Sequence, residues 1–139
     1  MALTFNPPFT QIPNIGRVAL AAANTARDGS GTIATAFTAG ADGAYIKKIR
    51  FTPAQATAAA IGAKVFCVFY SSDAGTTWNF LQEIAIATST PSNTAVGTSA
   101  IIAFPDGLVI PANTLIGVTQ TIYAGAQDRT QVIVEGSNY

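Results

Sequence analysis

The sequence predicts a single all-β domain, an antiparallel sandwich or barrel of eight to nine strands behind an extended arm. Three features lead there. Apolar and polar residues alternate in short runs, Asp-Gly and related turn signals recur every 8 to 15 residues, and nothing sustains a long 3.6-residue period. At 139 residues the chain can bury roughly two-thirds of its unfolded surface, so a core forms without disulfides or metals. Residues 1–14 are assigned to the arm and residues 15–139 to the sandwich.

The arm sets Pro7, Pro8 and Pro13 among Phe5, Phe9 and Ile12, a spacing that blocks helix and keeps the backbone extended. Its aromatic rings need cover, either on the arm's own domain or on a neighbouring subunit that it straps. The Ala-rich run 18–24 has helix propensity. However, Asp28-Gly29-Ser30-Gly31 and an alternating run follow at once, so strands are expected at 18–24 and 32–38. Asp42-Gly43 then turns the chain into a strand at 44–52. A strict period of two puts Tyr45, Lys47, Ile49 and Phe51 on one face and Ile46, Lys48 and Arg50 on the other. Lys47, Lys48 and Arg50 read as a solvated stripe or as a contact patch for an acidic partner. Thr52 as a cap, Pro53 at a first helical position and Gly62 as a stop allow a helix of about two turns, and a loop fits as well.

Two apolar strands, 64–71 and 77–87, fold back on each other across residues 72–76. Ser71, Asp73, Gly75, Thr77 and Trp78 fit S-x-D-x-G-x-T-W, and the segment resembles the Asp-box of sialidase-type propellers and other β proteins. In such a turn a short polar side chain accepts bonds from nearby backbone, Gly supplies positive φ, and the aromatic ring packs beneath. Turn chemistry accounts for every residue of the motif; a ligand-touching loop is the other reading. The motif occurs once and no 40 to 50-residue repeat accompanies it, which excludes a propeller. A polar connector at 88–99 carries contacts or crosses between sheets. Short strands at 100–104 and 108–111 flank Pro105-Asp106-Gly107, and strands at 114–123 and 129–135 complete the chain.

Composition narrows the function. Only 10% of residues are charged, seven basic against seven acidic, while 49% are hydrophobic. So little charge is unusual for a free monomer and points to assembly contacts. The bases are scattered along the sequence, which gives nucleic-acid binding no support. No apolar run nears the roughly 20 residues of a membrane helix, and the start lacks the order of a signal peptide. Histidine is absent, removing the commonest general base and zinc ligand. The single Cys67 alternates with Val65 and Phe69 and reads as a small core residue. Glu83 and Glu135 do not suggest a glycosidase pair, and Asp28, Asp42 and Asp106 each precede Gly in a turn. No cofactor, metal or catalytic residue is expected, and the protein reads as a non-enzyme.

From Asn24 onward the signals run in a fixed order. They are Asp28-Gly29-Ser30-Gly31-Thr32, Phe37-Thr38-Ala39-Gly40, the strand from Asp42 to Arg50, the hairpin with Leu81-Gln82-Glu83-Ile84, and Gly107-Leu108-Val109-Ile110-Pro111-Ala112-Asn113. This order resembles the small proteins that tailed bacteriophages carry beside their capsid genes. The resemblance implies a jelly-roll-like sandwich that decorates or cements the capsid shell, often as a homotrimer, with the major capsid protein as partner. Such a protein is made in the host cytoplasm and ends on the virion surface. The partner-binding residues expected are Phe5, Phe9 and Ile12 of the arm, with Lys47, Lys48 and Arg50. The alternative is a carbohydrate-binding sandwich on a virion or fibre surface, with Trp78, Tyr45, Tyr70 and Tyr123 as stacking faces.

Overall fold

Eight strands follow one another in a computed structural model that describes residues 12–55, 60–125 and 128–139. They are β1 (Ile12–Leu20), β2 (Ala34–Thr38), β3 (Ala44–Gln55), β4 (Lys64–Ser71), β5 (Asn79–Ile86), β6 (Ala100–Ile110), β7 (Leu115–Gln120) and β8 (Asp128–Asn138). Their pairings nest. β4 pairs with β5, β3 with β6, β2 with β7 and β1 with β8, all antiparallel, so the chain is one long hairpin whose tip is the turn after Ser71. Two further antiparallel pairings, β3 with β8 and β4 with β7, roll that hairpin into two sheets, β1-β8-β3-β6 and β2-β7-β4-β5. This is the jelly-roll form of the sandwich.

The two sheets enclose the core. Val132 and Val134 of β8, with Ile46, Ile49 and Phe51 of β3, face Phe66 and Val68 of β4 and Ile116 and Val118 of β7, all almost fully buried. The Phe51 and Phe66 rings stack across the interface at 4.6 Å between centroids and 9° between planes. At one end the inward residues turn polar. Lys64 meets Asp128, and the Thr130 hydroxyl donates to Gln120 Oε1 at 2.9 Å, so two polar ties cross between the sheets.

Several boundaries differ from expectation. The first strand begins at Ile12 and ends at Leu20, not at 18–24, because β1 lies on a sheet edge where Pro13 leaves no pairing N–H missing on an inner side. Ile12 is therefore a strand residue, opposite Asn138; Phe5 and Phe9 lie outside the described residues. Pro53 opens no helix. It continues β3 opposite Thr130, beyond Phe51↔Ala100 where pairing with β6 has ended and one strand edge is open. The short strands at 100–104 and 108–111 are one strand, β6, because both halves pair with β3; the register breaks between Ala103 and Leu108.

The faces of β3 also change. A β-bulge between Ile46 and Lys48 makes Lys47 an extra residue against β8. A strict period of two therefore fails there. Ile46 points inward with Ile49 and Phe51, whereas Tyr45, Lys48 and Arg50 point outward.

Candidate functional site

The outer face of the β1-β8-β3-β6 sheet gathers residues that are distant in sequence. Alternation along β8 buries Val132 and Val134, so Ile133 and Glu135 point away from the core. The register then extends each outward residue into a row. One row runs Arg17, Ile133, Arg50, Ile101; the next runs Ile15, Glu135, Lys48, Ala103. Ile15 is 55% exposed and Ile101 48%, apolar surface that the monomer leaves in water. Val109, opposite Tyr45 in a third row, is exposed as well.

Charge on this face is one-sided. Lys48 Nζ lies 3.2 Å and Arg50 Nη2 3.0 Å from the two oxygens of Glu135, so one carboxylate serves two bases. Lys47 stands exposed at the bulge and Arg17 at the β1 edge. With Arg129, exposed on the same side of β8, five of the chain's seven bases thus share a face with Glu135. Sequence alone presented these bases as scattered; the antiparallel pairing of β1 and β3 with β8 brings them together. Beside Lys47, a shallow hollow of about 300 Å³ is bounded by Pro13, Ile15, Tyr45 and Ser137. Gly107 fixes one wall. Its φ is +74°, and a Cβ there would overlap the Tyr45 ring.

The turn between β4 and β5 is built as its sequence implies. Ser71 Oγ donates to Asp73 Oδ1 at 2.7 Å and accepts the Gly75 N–H at 2.9 Å, while Asp73 Oδ1 accepts the Thr77 N–H at 2.9 Å. The bond from the Thr77 backbone, then that from Ser71, holds the Asp73 carboxyl down to about 2. Gly75 takes φ +87°. Trp78 is half-buried. Its indole lies against Gly117 of β7, and a Cβ at Gly117 would come within 2.5 Å of the ring. Tyr45 packs over Gly107 on the other sheet, so these two aromatic residues considered for glycan stacking do not share a surface.

Two further carboxylates are engaged. Arg27 Nε meets Glu83 Oε2 at 2.6 Å on the outside of the other sheet. Asp28 accepts the Ser30 hydroxyl at 2.6 Å, which holds its carboxyl below the ordinary range. Burial pushes the Cys67 thiol up, the opposite of what a nucleophile needs. Among the described residues no group of three Cys, Asp or Glu side chains is placed to hold a metal ion.

Sequence reasoning named Lys47, Lys48 and Arg50 for this face but missed Arg17, Ile15, Ile101, Ile133 and Glu135. A signal existed. The run Val132-Ile133-Val134 is apolar on both faces of a strand, which a sheet with one wet side does not require.

No protein-family model matches the chain, and no curated protein matches it. Among solved structures it is similar to a chain of the "Structure of infectious bursal disease virus Gt strain", at 16% identity and a TM-score of 0.32. The match covers 99% of this chain and 36% of that one, so the chain spans about a third of that protein's length. So loose a superposition bears neither on the site nor on the activity.

Proposed function

We infer that the protein is a structural component of a virion, which docks on the outside of a bacteriophage capsid and reinforces contacts between capsomers. It acts by binding and not by catalysis. The observation that carries this reading is the outer face of β1-β8-β3-β6, where Ile15, Ile101 and Ile133 are interleaved with Arg17, Lys47, Lys48 and Arg50. Such a face complements a folded surface that is apolar and acidic. A phosphate backbone would leave the isoleucines without a partner.

The face is small. Four strands about 4.8 Å apart and nine to twelve residues long, at about 3.3 Å per residue, give roughly 700 Å², short of the about 800 Å² per partner of a standard stable interface. A homotrimer, as the resemblance to capsid decoration proteins implies, would compensate, because linked weak contacts raise one another's effective concentration. Each trimer bridging neighbouring major capsid proteins would add buried area across joints strained by packaged nucleic acid.

Mixing the purified protein with empty shells of the same virus tests the reading. Co-sedimentation and a raised shell-disruption temperature are expected, together with silence on a glycan array. A monomer that ignores shells and binds glycans would replace this reading with the carbohydrate-binding one.

A further inference from the structure

Two hollows divide the outer face of β1-β8-β3-β6. One is the hollow beside Lys47; the other, of about 340 Å³, is bounded by Arg17, Gln131 and Ile133. Ile15 and Glu135, opposite each other in the register, line both and so form the divide between them. The bulge after Ile46 sets the adjacent Lys47 and Lys48 both on the outside, which brings Lys47 to the first hollow. Each hollow therefore has one base at its rim. Neither base is paired with an acid: all seven acids of the chain are among the described residues, and no ion pair joins any of them to Lys47 or Arg17. The divide is different, because Glu135 already holds Lys48 and Arg50, and Ile15 beside it is exposed.

Register fixes how far apart the two free bases stand. Lys47 lies on β3 between the residues opposite Gly136 and Glu135, and Arg17 lies on β1 opposite Ile133. Both strands flank β8, so two strand spacings, about 10 Å, separate them sideways, and two to three residues, about 7–10 Å, separate them lengthwise. The diagonal is about 13 Å, the length of four residues of extended chain. Residues i, i+2 and i+4 of a strand point to one side. A strand laid along this diagonal therefore presents i and i+4 to the two bases and i+2 to the exposed Ile15.

We propose that the two hollows are paired seats for one extended segment of a partner protein that reads acid, any residue, apolar, any residue, acid. One carboxylate meets Lys47, the other meets Arg17, and the apolar side chain covers Ile15. This rests on the reading of the outer face as a docking surface and names the feature that the partner must carry. A second copy of this chain does not supply it, since no two of its acids stand four residues apart. A polymer of phosphates or sulfates would set charge over Ile15, where the segment sets an apolar group.

Titrating the isotope-labelled full-length protein with the peptide Glu-Thr-Val-Thr-Glu, flanked by threonines, and following its amide resonances tests this. Saturable shifts are expected at Ile15, Arg17 and Lys47. Lys47→Glu and Arg17→Glu should each weaken binding at least about tenfold. Arg129→Glu removes the same charge from the same face, but about 13 Å along β8 from the row of Arg17, and should weaken it less than about threefold. Replacing one peptide Glu by Lys should restore binding to Lys47→Glu, and replacing the other should restore binding to Arg17→Glu. The isomer Glu-Thr-Val-Glu-Thr puts its acids on opposite sides of a strand and should bind at least about fivefold more weakly. Equal losses in the three variants, failed charge swaps, equal affinity for the two spacings or no shifts would overturn the proposal, as would tighter binding of a sulfated oligosaccharide or an oligonucleotide. The spectra of the free variants show directly that each is folded. Because the titration uses the isolated protein, shells that bind while the peptide does not would overturn the paired seats and leave the docking reading standing.

Discussion

Lys64 Nζ sits 2.6 Å and 2.7 Å from the two carboxylate oxygens of Asp128, joining the first residue of β4 to the first residue of β8 across the sandwich. Both side chains are buried, and Asp128 Oδ2 also accepts the Ala124 N–H at 3.1 Å, which ties down the loop before β8. A buried pair need not add net stability over an apolar pair, but removing one partner strands the other. Lys64→Met should therefore cost about 3–5 kcal/mol, whereas Lys64→Met with Asp128→Leu should recover most of that. Urea unfolding of the two variants checks the difference. Equal losses in the single and double variants would mean that packing, not the stranded carboxylate, sets the cost.

Asp73 gives the turn at the hairpin tip a pH dependence. Its carboxyl is held down to about 2 in the fold, by the Thr77 backbone first and Ser71 second, against an ordinary value of 3.8. A depressed carboxyl contributes stability that is fully present above its unfolded value and is lost as pH falls through its folded value. The melting temperature of the natural protein should exceed that of Asp73→Asn above pH 4. The gap should shrink between pH 4 and pH 2 and close below it. A gap constant down to pH 2 would show that the charge of Asp73 is not what the turn uses.

Gly117 and Trp78 form a matched pair on the outside of the second sheet. A Cβ at position 117 would come within 2.4 Å of Ile33 and 2.5 Å of the indole. Gly117→Ala should destabilise by about 1–3 kcal/mol, the usual range for overpacking, and should shift Trp78 emission to the red as the ring is lifted toward water. An unchanged spectrum and unfolding midpoint would contradict this packing.

Much of the fold is legible in the residues. The two sheets follow from alternation, and the turn at Ser71 to Trp78 carries its own hydrogen-bond chemistry, so it forms where its sequence says. The misreadings share a physical cause: each depends on a partner strand far away. Pro53 suits a helix start when read locally, and only the open edge beside Thr130 makes it a strand residue. Lys64 looks like a solvated strand end until Asp128, 64 positions away, is brought to it. The bulge at Lys47 exchanges the faces of Tyr45 and Ile46, and nothing in the run from Ala44 to Arg50 marks it. The face proposed for docking was half visible for the same reason. Its β3 bases are adjacent in sequence, whereas its isoleucines come from β1, β6 and β8 and meet only through register.

The measurement that bears most directly on the docking face is shell occupancy of Ile133→Asp and Ile101→Asp, with Phe80→Asp on the other sheet as control. Positions 101 and 133 lie outside the core, so the cost to folding should stay near the about 1 kcal/mol span of strand propensity, which urea unfolding of each variant checks. Each face variant should lose at least about tenfold in affinity for empty shells, because it removes an apolar contact and sets an acid, which also neutralises the neighbouring Arg50, against the acidic surface proposed for the partner, while Phe80→Asp should bind as the natural protein does. Full occupancy by the face variants, or loss only with Phe80→Asp, would contradict the assignment of this sheet as the docking surface.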